Sequence, residues 1–471
     1  MQKMETDYLI IGAGACGMAF ADMMLTQSQA DLVIVDRRHQ PGGHWLDAYP
    51  FVRLHQPSSI YGVDSLPLGA DRIDRTGPNT GFYERASAAE ICAYYGEVLE
   101  RQLLASGRVR FFGMCDYVGD CKEDHRFTSR LNGATTRVEV RRRIVDATYL
   151  GSAVPATEPV PFEIDRGAHL VPPGDLVALP KAPGGYTIIG GGKTSMDCCG
   201  WLLEHGVAPE LIRWIRPRDS WVFERSRLQP LDRVVGTIEG AATSTEAAAQ
   251  AEDAADLFRR LEACGALHRL DPDVDPCMYR GAILSAAERE SLRRITNVVR
   301  LGRVRRMGVE RIELEHGEIR SQPGALHVNC TAPGLRTPPP RPIFASGRIT
   351  LQSIFFGLTC FNAALIALIE SSERDDADRN RLCPPNPLPN KAFDWIPNRL
   401  LSLRAEAAWS QEPDLTAWIG STRLHLRRGL ADKQDDPRLQ RALARIAEFQ
   451  GTAAANLERL LQFQGYETAS A

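Results

Sequence analysis

Two glycine-rich stretches carry the residues whose types and spacing could do chemistry. The first sets Gly12, Gly14 and Gly17 in a G-x-G-x-x-G order, with Ala15 and Cys16 inside it. Gly12 would allow a tight turn, Gly14 would let the backbone approach a pyrophosphate, and Gly17 would let a helix pack against a strand. A helix starting there offers free N–H groups and a positive dipole end to the same pyrophosphate. Asp36, followed by Arg37, falls roughly 20 residues on, where a carboxylate accepts from ribose hydroxyls.

The second stretch repeats the device as Gly190, Gly192 and Ser195, with Lys193 and Thr194 between. A serine at the third position is small enough for the same close packing. The strand that follows ends in Arg216-Pro217-Arg218 instead of an acid. Arginines at that place accommodate a 2′-phosphate, so Arg216 and Arg218 point to NADPH, with Lys193 a further phosphate contact.

The elements that must position these residues are legible around them. Tyr8–Ile11 and Leu32–Val35 read as short buried strands and Met18–Leu25 as a helix. Residues 86–104 have apolar spacing for a helix, opened by a Ser87/Glu90 capping box. Val109–Phe112 is a strand, Asn132-Gly133 marks a hairpin, and Arg141–Ala147 returns to the sheet. Around the second turn, Tyr186–Ile189 and Leu211–Ile215 are strands, as are 298–304, 310–314 and 325–330. Residues 237–297 break the rhythm. They are alanine-rich and read as helical over 247–261 and 285–295, with Tyr279-Arg280-Gly281 as contacts in a substrate wall. The apolar run Ile349–Ile369 is interrupted by Gln352, Ser353, Gly357, Thr359 and Asn362, so it reads as a buried strand or loop and then a helix, without a membrane span. Residues 393–464 form a helical tail that either caps the active site or makes a homodimer face.

The fold class is therefore α/β, with two Rossmann-like dinucleotide-binding domains, a helical insertion and a helical C-terminal extension. The expected boundaries are 1–155, a linker at 156–184, 185–335 with its insert at about 237–297, a return segment at 336–372, and the extension at 373–471. The chain of 471 residues, 44% hydrophobic and 24% charged with a net charge of −3, is an ordinary globular composition and shows no basic field for nucleic acid. Its 11 cysteines are scattered, with no C-x-x-C, which argues against a dithiol redox centre, a disulfide framework or a metal site. The N-terminus has no signal core or twin arginine, so a cytoplasmic location is expected.

After the second strand come Gly42-Gly43-His44-Trp45, Tyr49-Pro50, and Arg53-Leu54-His55-Gln56-Pro57-Ser58-Ser59-Ile60-Tyr61. This succession resembles the class B flavin-dependent monooxygenases, the flavin-containing, Baeyer–Villiger and N-hydroxylating enzymes. The resemblance covers roughly residues 7–369. It implies FAD at the first turn, with Gly43, His44, Trp45, Leu54, His55, Ser58 and Tyr61 around it. It also implies that the chain returns past the flavin at Thr148, and that the last helix aims its start at the flavin ring near Gln352, Leu358 and Thr359. Where the family often carries F-x-G-x-x-x-H, this chain has Phe162 to His169 without the first glycine, and His169 reads as structural.

With NADPH at the second turn, the resemblance implies an NADPH- and FAD-dependent monooxygenase. It would oxygenate a small organic molecule with dioxygen through a C4a-(hydro)peroxyflavin. Arg53, His55 and Gln56 are the candidate donors beside the reacting centre. Two other classes stay open: a flavoprotein reductase, dehydrogenase or oxidase without oxygen insertion, and a non-catalytic flavin-binding sensor.

Overall fold

A computed structural model describes residues 2–119 and 124–462. Strand β1 (Gln2–Ile11) is the axis of the first sheet. It pairs in parallel with β2 (Leu32–Val35), Tyr8 opposite Leu32, and β2 pairs with β3 (Val109–Phe112). Helix α1 (Ala15–Gln27) crosses over between β1 and β2 with Met18–Met24 fully buried, because it is sandwiched rather than one-faced. Helix α2 (Ala88–Glu97) starts at the expected Ser87/Glu90 box, both bonds of which form. It then loosens into a π-turn over Val98–Leu103 before the chain reverses at Gly107.

Strands β4 (Cys115–Gly119) and β5 (His125–Ser129) form a meander with β6 (Thr135–Asp146). The Asn132-Gly133 turn is in place, with Gly133 at φ +70. The sequence reads Arg141–Ala147 as a strand of its own, but residues 141–146 are the end of one 12-residue strand, β6. It pairs in parallel with β1 from Thr136 to Asp146, and its exposure alternates along the meander before becoming continuously buried over Ile144–Asp146, where Arg348–Thr350 pairs with its other edge.

The second unit centres on the parallel strand Gly185–Ile189, flanked by Ile212–Ile215 and Ala325–Asn329, with helix α3 (Lys193–Glu204) as its crossover. The stretch expected as a linker contributes structure. Leu170–Val171 is an edge strand of this sheet, and Glu163–Ile164 pairs with Val304–Met307. Phe162, Ala168 and Leu170 pack under Ile189, Ile215 and Met307, which draws the proline-bounded segment onto the domain.

The insert is less helical than its alanine content suggests. Helices α4 (Val234–Gln250) and α5 (Ala254–Ala263) replace the single helix expected over 247–261. Asp253 breaks it by capping α5, accepting from Asp256 N at 2.7 Å. Between α5 and α6 (Ala286–Arg293) the strands Leu267–His268 and Met278–Leu284 pair with Ser220–Glu224.

The chain then returns to the first sheet at Arg348–Thr350, beside β6, and enters the buried helix α7 (Thr359–Glu370). The tail holds α8 (Asp376–Leu382), α9 (Trp395–Trp409), α10 (Pro413–Ser421) and α11 (Pro437–Gln462); its expected last residues, 463 and 464, lie outside the described residues. Helix α11 lies along α4, and Leu439, Ala453, Leu457 and Leu460 join the insert's apolar clusters. The tail's apolar face is thus covered from within the chain. No helix among the described residues is long and apolar enough to cross a membrane.

Candidate functional site

Both glycine turns open into one cavity of about 2290 Å³ between the two units. At the first turn the glycines are demanded by space. A Cβ on Gly12, at φ +102, would lie 2.9 Å from the Thr148 methyl, and one on Gly17 would lie 2.0 Å from Gly12 O. Asp36 braces the turn, accepting from Ala13 N at 2.6 Å and Arg38 N at 2.7 Å, and also lines the cavity. Arg37 is exposed at the same mouth. Gly43 backs onto Gly14, so close that a Cβ on it would sit 3.0 Å from Gly14 Cα.

Trp45 donates from Nε1 to the Tyr61 hydroxyl at 2.8 Å, and both line the cavity. His44 is held neutral: burial first, and Arg38 second, lower its pKa to about 4. Cys16 and Leu54 also face the cavity, and burial pushes the Cys16 thiol up to about 12. Ser58 has a different role from the one expected. It is buried and accepts from Ala86 N at 2.8 Å, which fixes the covering loop instead of reaching into the cavity.

The second turn repeats the plan. A Cβ on Gly190, at φ +137, would lie 2.6 Å from Cys330 O, whereas one on Gly192 would meet nothing within 4 Å. Ser195 fits by donating to Gly192 O at 2.7 Å. The exits from the two sheets also match. Thr148 donates from N and Oγ1 to Asp146 Oδ1 at 3.0 and 2.7 Å, and Thr331 does the same to Asn329 Oδ1 at 3.1 and 2.6 Å.

Arg216 does not fill the role expected of it. It is 3% exposed, lies 4.8 Å over the Trp214 ring and pairs with Asp219 at 2.8 Å, because Asp219 three residues on draws it inward. Arg218 does line the cavity, and Asn390 Oδ1 at 3.3 Å is its side-chain acceptor. Arg280 lines the cavity too and donates to Leu335 O at 2.9 Å. Burial, then the charge of Arg218, lowers its pKa. The sequence marks Arg280 only as a wall residue, because it lies on a strand of the insert far from the second turn in sequence.

Lys193, with Thr194 beside it at the cavity, pairs with Asp197, which accepts from the Tyr49 hydroxyl at 2.7 Å. Burial and Asp197 push the Tyr49 phenol well above its usual range. Phe51 stacks on Trp201 with centroids 4.8 Å apart, so the segment after Trp45 docks onto α3. His55 and Gln56 line the cavity at this junction, and burial, then Lys193, lowers the His55 pKa to about 3. Arg53 lines the cavity as well, but at an exposed edge: it donates to Arg85 O at 2.9 Å and its side chain is 56% exposed.

A buried cluster that no motif announced joins the units. Glu288 of α6 pairs with Arg225 at 2.7 Å and with Arg85 at 3.4 Å. Burial alone would raise the Glu288 pKa, but Arg225, Lys193 and Arg85 outweigh it and hold it at about 2.

Helix α7 supplies the third helix end. Leu358 and Thr359 line the cavity, and Asn362 ties the preceding loop by exchanging bonds with Phe355 N and O at 2.9 and 2.8 Å. Gln352 lines the same wall, but its amide is taken by Arg341, donating to O at 2.8 Å and accepting from N at 3.3 Å. Helices α1, α3 and α7 all begin at this cavity without a side-chain cap and with no acid in the first turn. Of the other helices, α2, α5, α6 and α8 are capped by Ser87, Asp253, Ser285 and Asp375, while α4 and α9 also start without a cap. Uncapped N–H groups at the end of a helix dipole suit anionic ligands, and the open side of Gly192 leaves room for a pyrophosphate against the backbone.

Fold and site together define an α/β protein with two Rossmann-like units whose dinucleotide-type turns share one cavity. Residues 10–58 match the family described as NAD(P)-binding Rossmann-like domain. The chain is 44% identical over 472 residues to an uncharacterized protein of Mycobacterium tuberculosis and to one of Mycobacterium bovis, covering 98% of this chain and 85% of each relative. It belongs to the family of these mycobacterial proteins. Solved structures similar to it include a flavin-containing monooxygenase from Stenotrophomonas maltophilia, 17% identical, covering 79% of this chain and 98% of that one with a TM-score of 0.45. Another is an open form of cyclohexanone monooxygenase, 14% identical, covering 98% of this chain and 99% of that one with a TM-score of 0.46.

Proposed function

We propose that the protein is a flavoprotein monooxygenase that binds FAD at the Gly12–Gly17 turn and NADPH at the Gly190–Ser195 turn, and oxygenates a small organic molecule. One observation carries this reading: three uncapped helix starts, two of them behind glycine turns, face a single cavity. Two separate binding modules would not need a shared chamber. When bound, the pair of cofactors supplies hydride transfer from nicotinamide to flavin and the activation of dioxygen.

The chain's own contribution is placement, charge and dryness. Asp36 would accept from the ribose of the first nucleotide, and the uncapped start of α7 would favour negative charge on a bound flavin. Arg218 and Arg280 would hold the phosphate that distinguishes NADPH from NADH. The Tyr49–Asp197–Lys193 chain fixes the second turn against the first unit and keeps the Tyr49 proton in place. His55, neutral at physiological pH, offers an uncharged ring to the cavity wall and adds no positive charge beside Lys193.

The test is spectroscopic and chemical. Purified protein is expected to be yellow, to bleach with NADPH under anaerobic conditions, and to place one labelled oxygen atom in a product when labelled dioxygen is admitted. A preparation that takes up no flavin overturns the reading. Bleaching followed by quantitative hydrogen peroxide with every substrate offered replaces the monooxygenase with an oxidase on the same scaffold.

A further inference from the structure

One arm of the cavity runs away from the cofactor turns into the insert. Its wall is a chain of rings: Phe356, just before α7, lies 5.7 Å from Tyr279 between centroids, and Tyr279 lies 5.6 Å from Phe223. All three line the cavity. The close fit has a backbone cause. Gly281 sits at φ +74, and a Cβ there would be 2.5 Å from Phe356 Cζ, so no other residue lets the Phe356 ring lie against the Met278–Leu284 strand.

Arg227, four residues after Phe223, lines the same cavity. Phe223 pairs with Leu267, and two residues before Ala266 the carbonyl of Cys264 accepts from Arg227 Nη2 at 2.9 Å. The guanidinium lies over α4 at Gly240, where a Cβ would be 2.8 Å from Arg227 Cδ and 3.3 Å from Nη1. Gly240, Ala241 and Ser244 complete this end of the cavity.

Arg227 differs from its neighbours in having no carboxylate. Arg225 pairs with Glu288, Arg260 with Asp256, Arg269 with Glu262 and Arg289 with Glu224. Glu239 beside it is paired with Arg438 at 2.6 Å, and the Arg227 charge adds only at longer range to what Arg438 does to that carboxylate. No acid pairs with Arg227 among the described residues, although it is half-buried in the cavity wall. A guanidinium that has given one donor to a backbone carbonyl keeps the others in a planar fork suited to a carboxylate.

We propose that this arm binds an amphipathic carboxylate, its charge on Arg227 and its apolar body along Phe223, Tyr279 and Phe356, so that the far end of the molecule is presented at the start of α7. The substrate class is thus an organic acid with an extended apolar chain, oxidised at the end remote from its carboxylate. This deepens the monooxygenase reading and rests on it only for the fate of that far end; the anion site itself stands on Arg227 and the three rings.

The experiment is calorimetric titration of the purified protein, its flavin content recorded by absorbance, with decanoate and with its uncharged isostere decanamide. Decanoate is expected to bind roughly 10-fold or more tighter than decanamide, as a charge-assisted bond to a half-buried arginine allows. The preference should shrink as ionic strength rises. Arg227→Gln should abolish it while leaving decanamide affinity unchanged, and Arg227→Lys should restore part of it. Equal binding of the two probes, binding of neither, or a decanoate affinity untouched by Arg227→Gln would each overturn the proposal. Should the glutamine variant not fold, the salt dependence of the native protein still decides. A colourless protein that keeps the Arg227-dependent preference would sink the flavoprotein reading alone. A yellow, NADPH-bleached protein without that preference would sink the carboxylate site alone.

Discussion

Gly17 and Gly192 occupy similar turns under opposite constraints, and the difference makes them separable probes. A methyl on Gly17 must displace Gly12 O, 2.0 Å away, and with it the whole first turn. Gly17→Ala is expected to cost about 1–3 kcal/mol of stability in urea denaturation, the usual range for overpacking, and to abolish flavin retention. A methyl on Gly192 meets only open space, so Gly192→Ala should melt with the native protein while raising KM for NADPH roughly 10-fold. If Gly192→Ala leaves NADPH kinetics unchanged, the second turn does not cradle that cofactor.

The arginines divide in the same way. Arg218→Ala is expected to lower the preference for NADPH over NADH, measured as the ratio of kcat/KM values, by roughly 10-fold or more. Arg216→Ala should leave that ratio alone and lower stability, because it removes one partner of the buried Asp219 while Arg300, 2.9 Å away, keeps the other. The two residues look equivalent after the strand. What separates them is Asp219, whose side chain claims the nearer arginine, and no spacing rule states that.

At the scale of elements, the parts fixed by backbone geometry were legible and the parts fixed by partners were not. The helices behind Gly12 and Gly190 and the central strands before them follow from glycine spacing and apolar runs. So does α2, whose Ser87/Glu90 box is written in the chain. The strand Met278–Leu284 was not legible, because Arg280 and Gly281 interrupt its apolar pattern and its register slips beside Trp221. Helix α6 shows an element serving two purposes. Its Ser285/Glu288 box closes the helix start, while the same Glu288 neutralises Arg225 and Arg85 from two other segments. Glu288→Gln keeps a side chain able to cap but strips the charge from between two buried guanidinium groups. It should therefore lower the unfolding free energy by about 3–5 kcal/mol, as loss of a buried ion-pair partner does. The matched change Glu90→Gln in α2, where the carboxylate is largely exposed, is expected to cost less than about 1 kcal/mol. Similar midpoints for the two variants in urea would show that the cluster around Glu288 does not hold the units together.

For the whole molecule, the tail was the least legible region, and the structure gives the reason. Its role rests on backbone carbonyls about which a sequence pattern says nothing. Between α10 and α11 the chain passes over the loop that covers the first turn. There Arg423 donates to Tyr61 O at 3.0 Å, Val63 O at 2.7 Å and Ser59 O at 3.1 Å, and Thr422 donates to Asp64 at 2.7 Å. His425 packs between Phe355 and Phe361, which belong to the loop before α7 and to α7 itself. One buried guanidinium therefore gathers the carbonyls of a loop whose other face carries Tyr61, the partner of Trp45 at the cavity. Removing it takes the guanidinium from the Tyr61 and Val63 carbonyls in a dry setting, while Ser59 O keeps only Arg428 at 3.0 Å, and the loop relaxes to find water. Arg423→Met, which keeps the apolar stem and removes the donors, is expected to loosen the first site without unfolding the sheets. Flavin should be lost on dialysis at least about 10-fold faster than from the native protein, a rate change worth about 1.4 kcal/mol. The control lies on the same tail. Arg438→Ala breaks an exposed pair with Glu239 on the outer side of α11 and should change retention little. Were both variants to hold flavin as the native protein does, the tail would be a cover for the insert and nothing more. Were both to lose it, the effect would lie in the stability of the tail as a whole and not in the grip of Arg423 on the loop.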